Sequence, residues 1–188
     1  MTCIVGLVDD DKVWIGGDSA AVSNGNISQV AHPKVFLLDV AEDRFLVGYT
    51  TSFRMGQILQ YWLPKSKALH RPKEMADMEF MVTVFAEELR DHFNRFGFGT
   101  IKDNKESGGC FLIGYRGHLY RIESDYQVNE NAIGYDAVGS GENFALGAMW
   151  ATSSSHSAEN RIKIALDAAA RFSGSVVAPF TILNLGSE

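Results

Sequence analysis

What most limits the fold of this chain is an order: strand-like runs, two helical stretches, more strand-like runs, two more helical stretches and a last strand. Residues 3–8 and 12–17 flank the turn Asp9-Asp10-Asp11, and residues 35–40 and 44–50 flank Ala41-Glu42-Asp43, so each pair reads as a β-hairpin. Over residues 52–62 the apolar Phe53, Met55, Ile58, Leu59 and Trp62 recur at helical spacing until Pro64. Residues 75–96 repeat that pattern through Met78, Met81, Val82, Phe85 and Leu89. The Gly- and charge-rich stretch 97–109 reads as a loop. Residues 110–115 and 118–123 form a third hairpin about Arg116-Gly117, and residues 131–138 add a strand. Helices are expected over 142–152 and 158–172, with a closing strand over 176–185.

Every helix stripe and every sheet face needs a covering layer. Two facing sheets with a helix pair outside each satisfy all of them, so the expectation is an α+β fold, a four-layer α/β/β/α sandwich. The length of 188 residues fits one domain over 1–188, and no repeat or linker divides it.

Charge and composition narrow the function classes. Seventeen Lys and Arg against 23 Asp and Glu leave a net charge of −6, opposite to what phosphate neutralisation needs, so no nucleic-acid partner is expected. The longest apolar runs, such as Cys110 to Tyr115, fall far short of the roughly 20 residues that cross a bilayer, so no membrane partner is expected either. The opening "MTCIVGLV" lacks a basic segment and a small-residue cleavage site, which points to a cytoplasmic protein. Two cysteines, Cys3 and Cys110, are too few for a disulfide scaffold and read as reduced, buried residues. The five histidines show no pair at ligand spacing, and the three adjacent acids read as a solvated turn. No metal and no cofactor are expected.

The segments "TCIVGLV", "IGGDSA", "HPKVF", "FLVGYTTS" and "GSGENFALGA", in this order, resemble the proteasome β-subunit and bacterial HslV peptidase family of N-terminal-nucleophile hydrolases. Any one of them is a weak signal; their combination and spacing carry the resemblance. Asp18, Lys34 and Gly48 follow Thr2 by 16, 32 and 46 residues, the family's spacing from its catalytic threonine.

The chemistry accounts for these residue types. A threonine hydroxyl needs a base, and a free α-amino group, with a pKa of about 7.7 to 8.0, is poised to be one. Only a first residue offers both groups, so the resemblance implies that Met1 is removed and Thr2 is the nucleophile. It further implies that Lys34 activates the Thr2 hydroxyl, Asp18 orients Lys34, the Gly48 N–H is the oxyanion donor, and Ser140 supports the Thr2 amine. Taken singly, the same residues read as a strand start, a turn acid, a surface charge, a strand glycine and a helix N-cap. Cys3 is a rival nucleophile, one residue out of the family's spacing. Where the family places an Asp near the last helix-to-strand turn, this chain has Ala170 or Arg171.

The family's first specificity pocket, counted from Thr2, falls at Ala21, His32, Phe36, Leu46 and Thr50, an apolar set without an acid, so cleavage after apolar residues is expected. The implied function is a threonine endopeptidase subunit of a self-compartmentalised particle of stacked rings. Its substrates would be peptides or unfolded proteins, with an ATPase unfoldase as a candidate partner. A silent ring subunit and a small-molecule amidase of the same fold are the alternatives.

Overall fold

A computed structural model describes residues 2–23, 26–152 and 156–187. Strands β1 (Cys3–Asp9) and β2 (Lys12–Gly17) pair antiparallel with Val8 opposite Val13. Asp10 and Asp11 take positive φ, 49° and 57°, the two-residue turn whose twist suits a hairpin. The structure adds a ribbon of β3 (Ala20–Ser23) and β4 (Asn26–Gln29), which flank Asn24-Gly25, a short hairpin signal in the sequence. Strands β5 (Val35–Val40) and β6 (Asp43–Tyr49) form the second expected hairpin.

Helix α1 (Phe53–Tyr61) starts where the Ser52 hydroxyl accepts from Arg54 N–H at 3.1 Å. The helix expected over 75–96 is α2 (Asp77–Phe80) and α3 (Ala86–Arg95), joined by a π-helical turn, Met81–Phe85. That wider turn holds the β-branched run Val82-Thr83-Val84, and Thr83 Oγ1 donates back to the Glu79 carbonyl at 2.7 Å. The stretch expected as a loop contains a small hairpin, β7 (Thr100–Lys102) and β8 (Lys105–Ser107), turning at Asp103-Asn104.

Strands β9 (Phe111–Tyr115) and β10 (His118–Ile122) pair as expected, and β10 also pairs with β11 (Val128–Glu130). The next strand, β12, spans Tyr135–Gly139 rather than 131–138, because Asn131 makes a turn: its side chain accepts from Ile133 N–H and its carbonyl from Gly134 N–H. Helices α4 (Glu142–Ala151) and α5 (Ala158–Phe172) follow, and β13 (Thr181–Gly186) begins only after Pro179, which has no N–H for a ladder.

One sheet has the order β12-β1-β2-β13 and a second the order β11-β10-β9-β6-β5. Strand alternation sorts the core into three clusters. Cys3, Val5 and Leu7 pack with Ala145, Ile162 and Leu166 of α4 and α5. Ile4, Val13 and Ile15 share a cluster with Leu46, Leu112 and Leu119 of the second sheet. Phe45, Val47 and Tyr49 pack with Met55, Phe85 and Leu89 from the α1-to-α3 segment. Among the described residues, no helix is long and apolar enough to cross a membrane.

Candidate active site

Thr2 precedes β1, Asp18 follows β2, and Lys34 precedes β5, so the first two belong to one sheet and the third to the other. They meet. Lys34 Nζ lies 2.7 Å from Thr2 Oγ1 and 2.9 Å from Asp18 Oδ1. Asp18 Oδ1 also accepts from Cys3 N–H at 3.1 Å and Oδ2 from Ala20 N–H at 2.9 Å, so both oxygens are held by the backbone around the site. Thr2 is 5% exposed, Asp18 and Lys34 2% each, which removes the surface-charge alternative for Lys34. A buried ammonium needs a partner. Burial pushes the Lys34 pKa below its ordinary value, and Asp18 pulls it partly back.

Gly48 stands elsewhere. It is opposite Val35 on one side of β6 and Leu112 on the other. Tyr49 N–H donates to the Lys34 carbonyl at 3.0 Å, so by alternation the Gly48 N–H points the other way, into the β6–β9 ladder. A side chain at Gly48 would meet Ile4 and Ile15 at 2.6 Å, inside the inter-sheet core. The backbone beside Thr2 is instead the segment 50–52: Thr50, Thr51 and Ser52 line a cavity of about 80 Å³ together with Thr2, Ala20, Val22 and Lys34. Thr51, a β-branched residue, sits at φ 61°, and Ser52 N–H closes a tight turn onto the Thr50 carbonyl at 2.6 Å. Among the described residues, no backbone carbonyl accepts from the Thr51 N–H.

The five pocket positions divide. Thr50 lines the cavity at Thr2, while Ala21 gives way to its strand neighbours Ala20 and Val22, whose side chains share the other face of β3. His32 lines an adjoining cavity of about 330 Å³ with Tyr49, Phe53, Gln57 and Tyr61. Tyr49 and Phe53 border both cavities. Phe36 is buried against Tyr49, and Leu46 lies in the inter-sheet core, so neither lines the site.

Ser140 is not the helix cap; Gly141 is. Ser140 Oγ donates to the Thr2 carbonyl at 3.3 Å and lies 2.9 Å from Ser175 Oγ, which is 3.2 Å from Ser173 Oγ. These two serines, beside the small Gly174, carry no periodic signal in the sequence. Ala170 packs beside the α4–α5 core and Arg171 is exposed, so neither enters this cluster. Cys3 is buried on the helix-facing side of β1, where burial foremost, with Asp18 next, pushes its thiol up to about 12. Cys110, expected as a buried strand residue, is half-buried just before β9, with Sγ 3.6 Å from Glu123 Oε2.

Solved structures with this architecture share it along nearly the whole chain. A Thiobacillus denitrificans BPH in complex with epoxomicin matches with a TM-score of 0.79 at 20% identity, covering 100% of both chains. Eukaryotic HslV from Trypanosoma brucei matches at 0.66 and 17%, covering 98% of this chain and 99% of that one. Anbu, the ancestral beta-subunit, from Yersinia bercovieri matches at 0.71 and 16%, covering 98% and 82%. The chain has the proteasome-like N-terminal-nucleophile hydrolase fold. No protein-family model and no curated protein matches its sequence. At these identities the proteasome-like fold is what is shared, and the chemistry of Thr2, Asp18 and Lys34 rests on this chain's own geometry.

Proposed function

We propose that the chain is a threonine-type endopeptidase subunit of a self-compartmentalised, proteasome-like particle, with Thr2 as nucleophile after removal of Met1. Met1 lies outside the described residues. One observation carries the reading: a buried Lys34 ammonium between Thr2 Oγ1 at 2.7 Å and Asp18 Oδ1 at 2.9 Å. The frame is one domain over 1–188 with α/β/β/α layers, supported by three apolar clusters, one between the sheets and one under each helix group.

In the processed chain the α-amine takes the proton of the Thr2 hydroxyl as Oγ1 attacks the peptide carbonyl. Lys34 stabilises the negative charge on Oγ1, and Asp18 holds Lys34 in line. The Thr51 N–H, which no backbone carbonyl takes among the described residues, is the oxyanion donor of choice in place of Gly48, because Thr51 lines the Thr2 cavity. The ammonium then protonates the leaving amine, leaving an ester on Thr2. Water, deprotonated by the same amine, hydrolyses that ester and restores the site. The 330 Å³ cavity, with aromatic rings, two amides and no carboxylate, suits a large apolar side chain of the substrate. Peptides or unfolded proteins are the proposed substrates, stacked rings the proposed assembly, an ATPase unfoldase a candidate feeder and the cytoplasm the setting.

The test uses the full chain with Thr2 established as its first residue by intact mass. Thr2→Ala abolishes cleavage of a fluorogenic peptide, and Lys34→Ala lowers it by about 10³-fold or more. A peptide epoxyketone, which consumes a hydroxyl and a free amine on one residue, labels Thr2. Activity surviving in Thr2→Ala, or label on Cys3, defeats the reading.

A further inference from the structure

We propose that the Thr51 hydroxyl is a positioning group of the oxyanion site, holding the turn that presents the Thr51 N–H to the Thr2 cavity. The inference rests on the reading of Thr2 as the nucleophile. The register of β6 shows what the hydroxyl replaces. Gly48 lies opposite Leu112 and Tyr49 opposite Phe111, so an extended chain would next set Thr50 opposite Cys110. Bonded and non-bonded pairs alternate along an antiparallel ladder, and the Gly48 N–H already points into it. Thr50 and Cys110 would then be a bonded pair, with the Cys110 N–H on the Thr50 carbonyl. The structure departs from that pattern. The Thr50 carbonyl accepts from Ser52 N–H at 2.6 Å, and the Cys110 N–H goes to Thr51 Oγ1 at 3.3 Å. A side-chain oxygen thus stands where a strand carbonyl is due, and β6 ends at Tyr49 in a turn.

That turn needs holding. Its central residue, Thr51, has φ 61°, the rare hand of a three-residue turn and a conformation that β-branched residues avoid. The chain on either side is fixed: Tyr49 N–H donates to the Lys34 carbonyl at 3.0 Å, and the Ser52 hydroxyl accepts from Arg54 N–H at 3.1 Å. The Cys110 segment is fixed too. Gly108 N–H donates to the Ser124 carbonyl at 2.7 Å, and a Cβ on Gly109 would clash with Met55 Sδ and stand 3.2 Å from Thr51 Cβ. Cys110 therefore offers its N–H from a set position, and the Thr51 hydroxyl is what meets it.

Removing the hydroxyl returns the Cys110 N–H to the Thr50 carbonyl. The ladder then gains a rung, Thr51 relaxes toward extended backbone, and its own N–H swings off the cavity. A donor aimed at the oxyanion acts in the transition state and little before it, so kcat should fall while KM holds.

The experiment compares the processed wild type with Thr51→Val, which keeps the shape without the acceptor, and Thr51→Ser, which keeps the acceptor. Hydrolysis of a fluorogenic peptide is one readout. The other is inhibition by a peptide aldehyde: Thr2 Oγ1 adds to its carbonyl carbon, the hydroxyl proton passes to the α-amine, and the carbonyl oxygen becomes the oxyanion. The matching peptide alcohol binds without that step and reports ground-state binding alone. Thr51→Val lowers kcat about thirtyfold with KM within about twofold, and weakens the aldehyde by about the same factor but not the alcohol. Thr51→Ser stays within about threefold of wild type. A wild-type kcat in Thr51→Val, a Thr51→Ser as slow as Thr51→Val, or aldehyde and alcohol weakened equally overturns the proposal alone. Should Thr51→Val not fold, Thr51→Ala lacks the acceptor with less bulk: a kcat about thirtyfold lower at constant KM supports the proposal, and an unchanged kcat overturns it. Absence of any Thr2 adduct with a peptide epoxyketone, with Thr2→Ala as active as wild type, overturns the nucleophile reading and this proposal with it.

Discussion

Cys3 stands next to Thr2 in the chain, yet its chemistry is opposite. Its thiol is fully buried under α4 and α5, and burial with Asp18 nearby raises its pKa from 9.0 to about 12. A thiol with a raised pKa stabilises the fold fully below pH 9, and that contribution is lost as pH climbs toward 12. Cys3→Ala should therefore flatten the alkaline loss of stability: between pH 8 and pH 10, the unfolding free energy of the wild type, from urea titrations, should drop by about 1.4 kcal/mol more than that of the variant. At pH 8 in the native chain, iodoacetamide should modify the half-buried Cys110 before Cys3, as peptide mapping would reveal. The separations in the sequence singled out Thr2, Asp18 and Lys34 as a set, and the structure brings their side chains within hydrogen-bond distance. The sequence misled at Gly48, Phe36 and Leu46, because counting along β5 and β6 ignores which face of the strand each residue takes. Ser173 and Ser175 were invisible: a hydroxyl's role depends on its neighbours in space, not on any period.

Helix α1 carries an element-level device, Gly56, in its buried face. A glycine inside a helix costs about 1 kcal/mol relative to alanine, so a reason is expected. A Cβ there would stand 2.2 Å from the Tyr49 ring, so the glycine provides the berth that keeps the ring off the cavities it borders. Gly56→Ala should push the ring toward the substrate and raise KM for a Phe-bearing peptide about tenfold over an Ala-bearing one. Adding Tyr49→Ala to that variant should restore the large side chain, and a specificity panel that does not respond would argue against the berth. Helical spacing foretold α1, α4 and α5, since their buried faces recur every three to four residues. The π-helical turn at Met81–Phe85 and the β7–β8 hairpin were not legible, the first because period hardly changes over one turn, the second because all its strand residues are exposed or half-buried.

At the scale of the molecule, the site spans the seam between two sheets. Leu46 lies fully buried in that seam with Ile4 and Ile15, so Leu46→Ala should destabilise by about 3 kcal/mol and, by loosening the seam, lower peptide hydrolysis as well. Thermal melting alongside kcat at a temperature where both proteins stay folded would check it; an unchanged kcat would mean that the sheets hold their spacing without this side chain. If the particle reading holds, sedimentation at micromolar concentration should find a species several times heavier than the 20.7 kDa chain, and a monomer alone would favour a small-molecule amidase. The order of strands and helices was legible in the alternating and helical spacing of the apolar residues. That two sheets face each other was expected from the need to cover every apolar face, but no separation in the sequence says which side chains meet in the seam.

Lys34 reaches Thr2 only from the opposite sheet. A chain emerging from the ribosome, with its first hairpin formed and its second still adrift, holds a threonine no more reactive than any other. On the proposed reading, a copy whose sheets have not docked lacks the lysine that activates its threonine, so the fold itself acts as a safety catch on the chemistry.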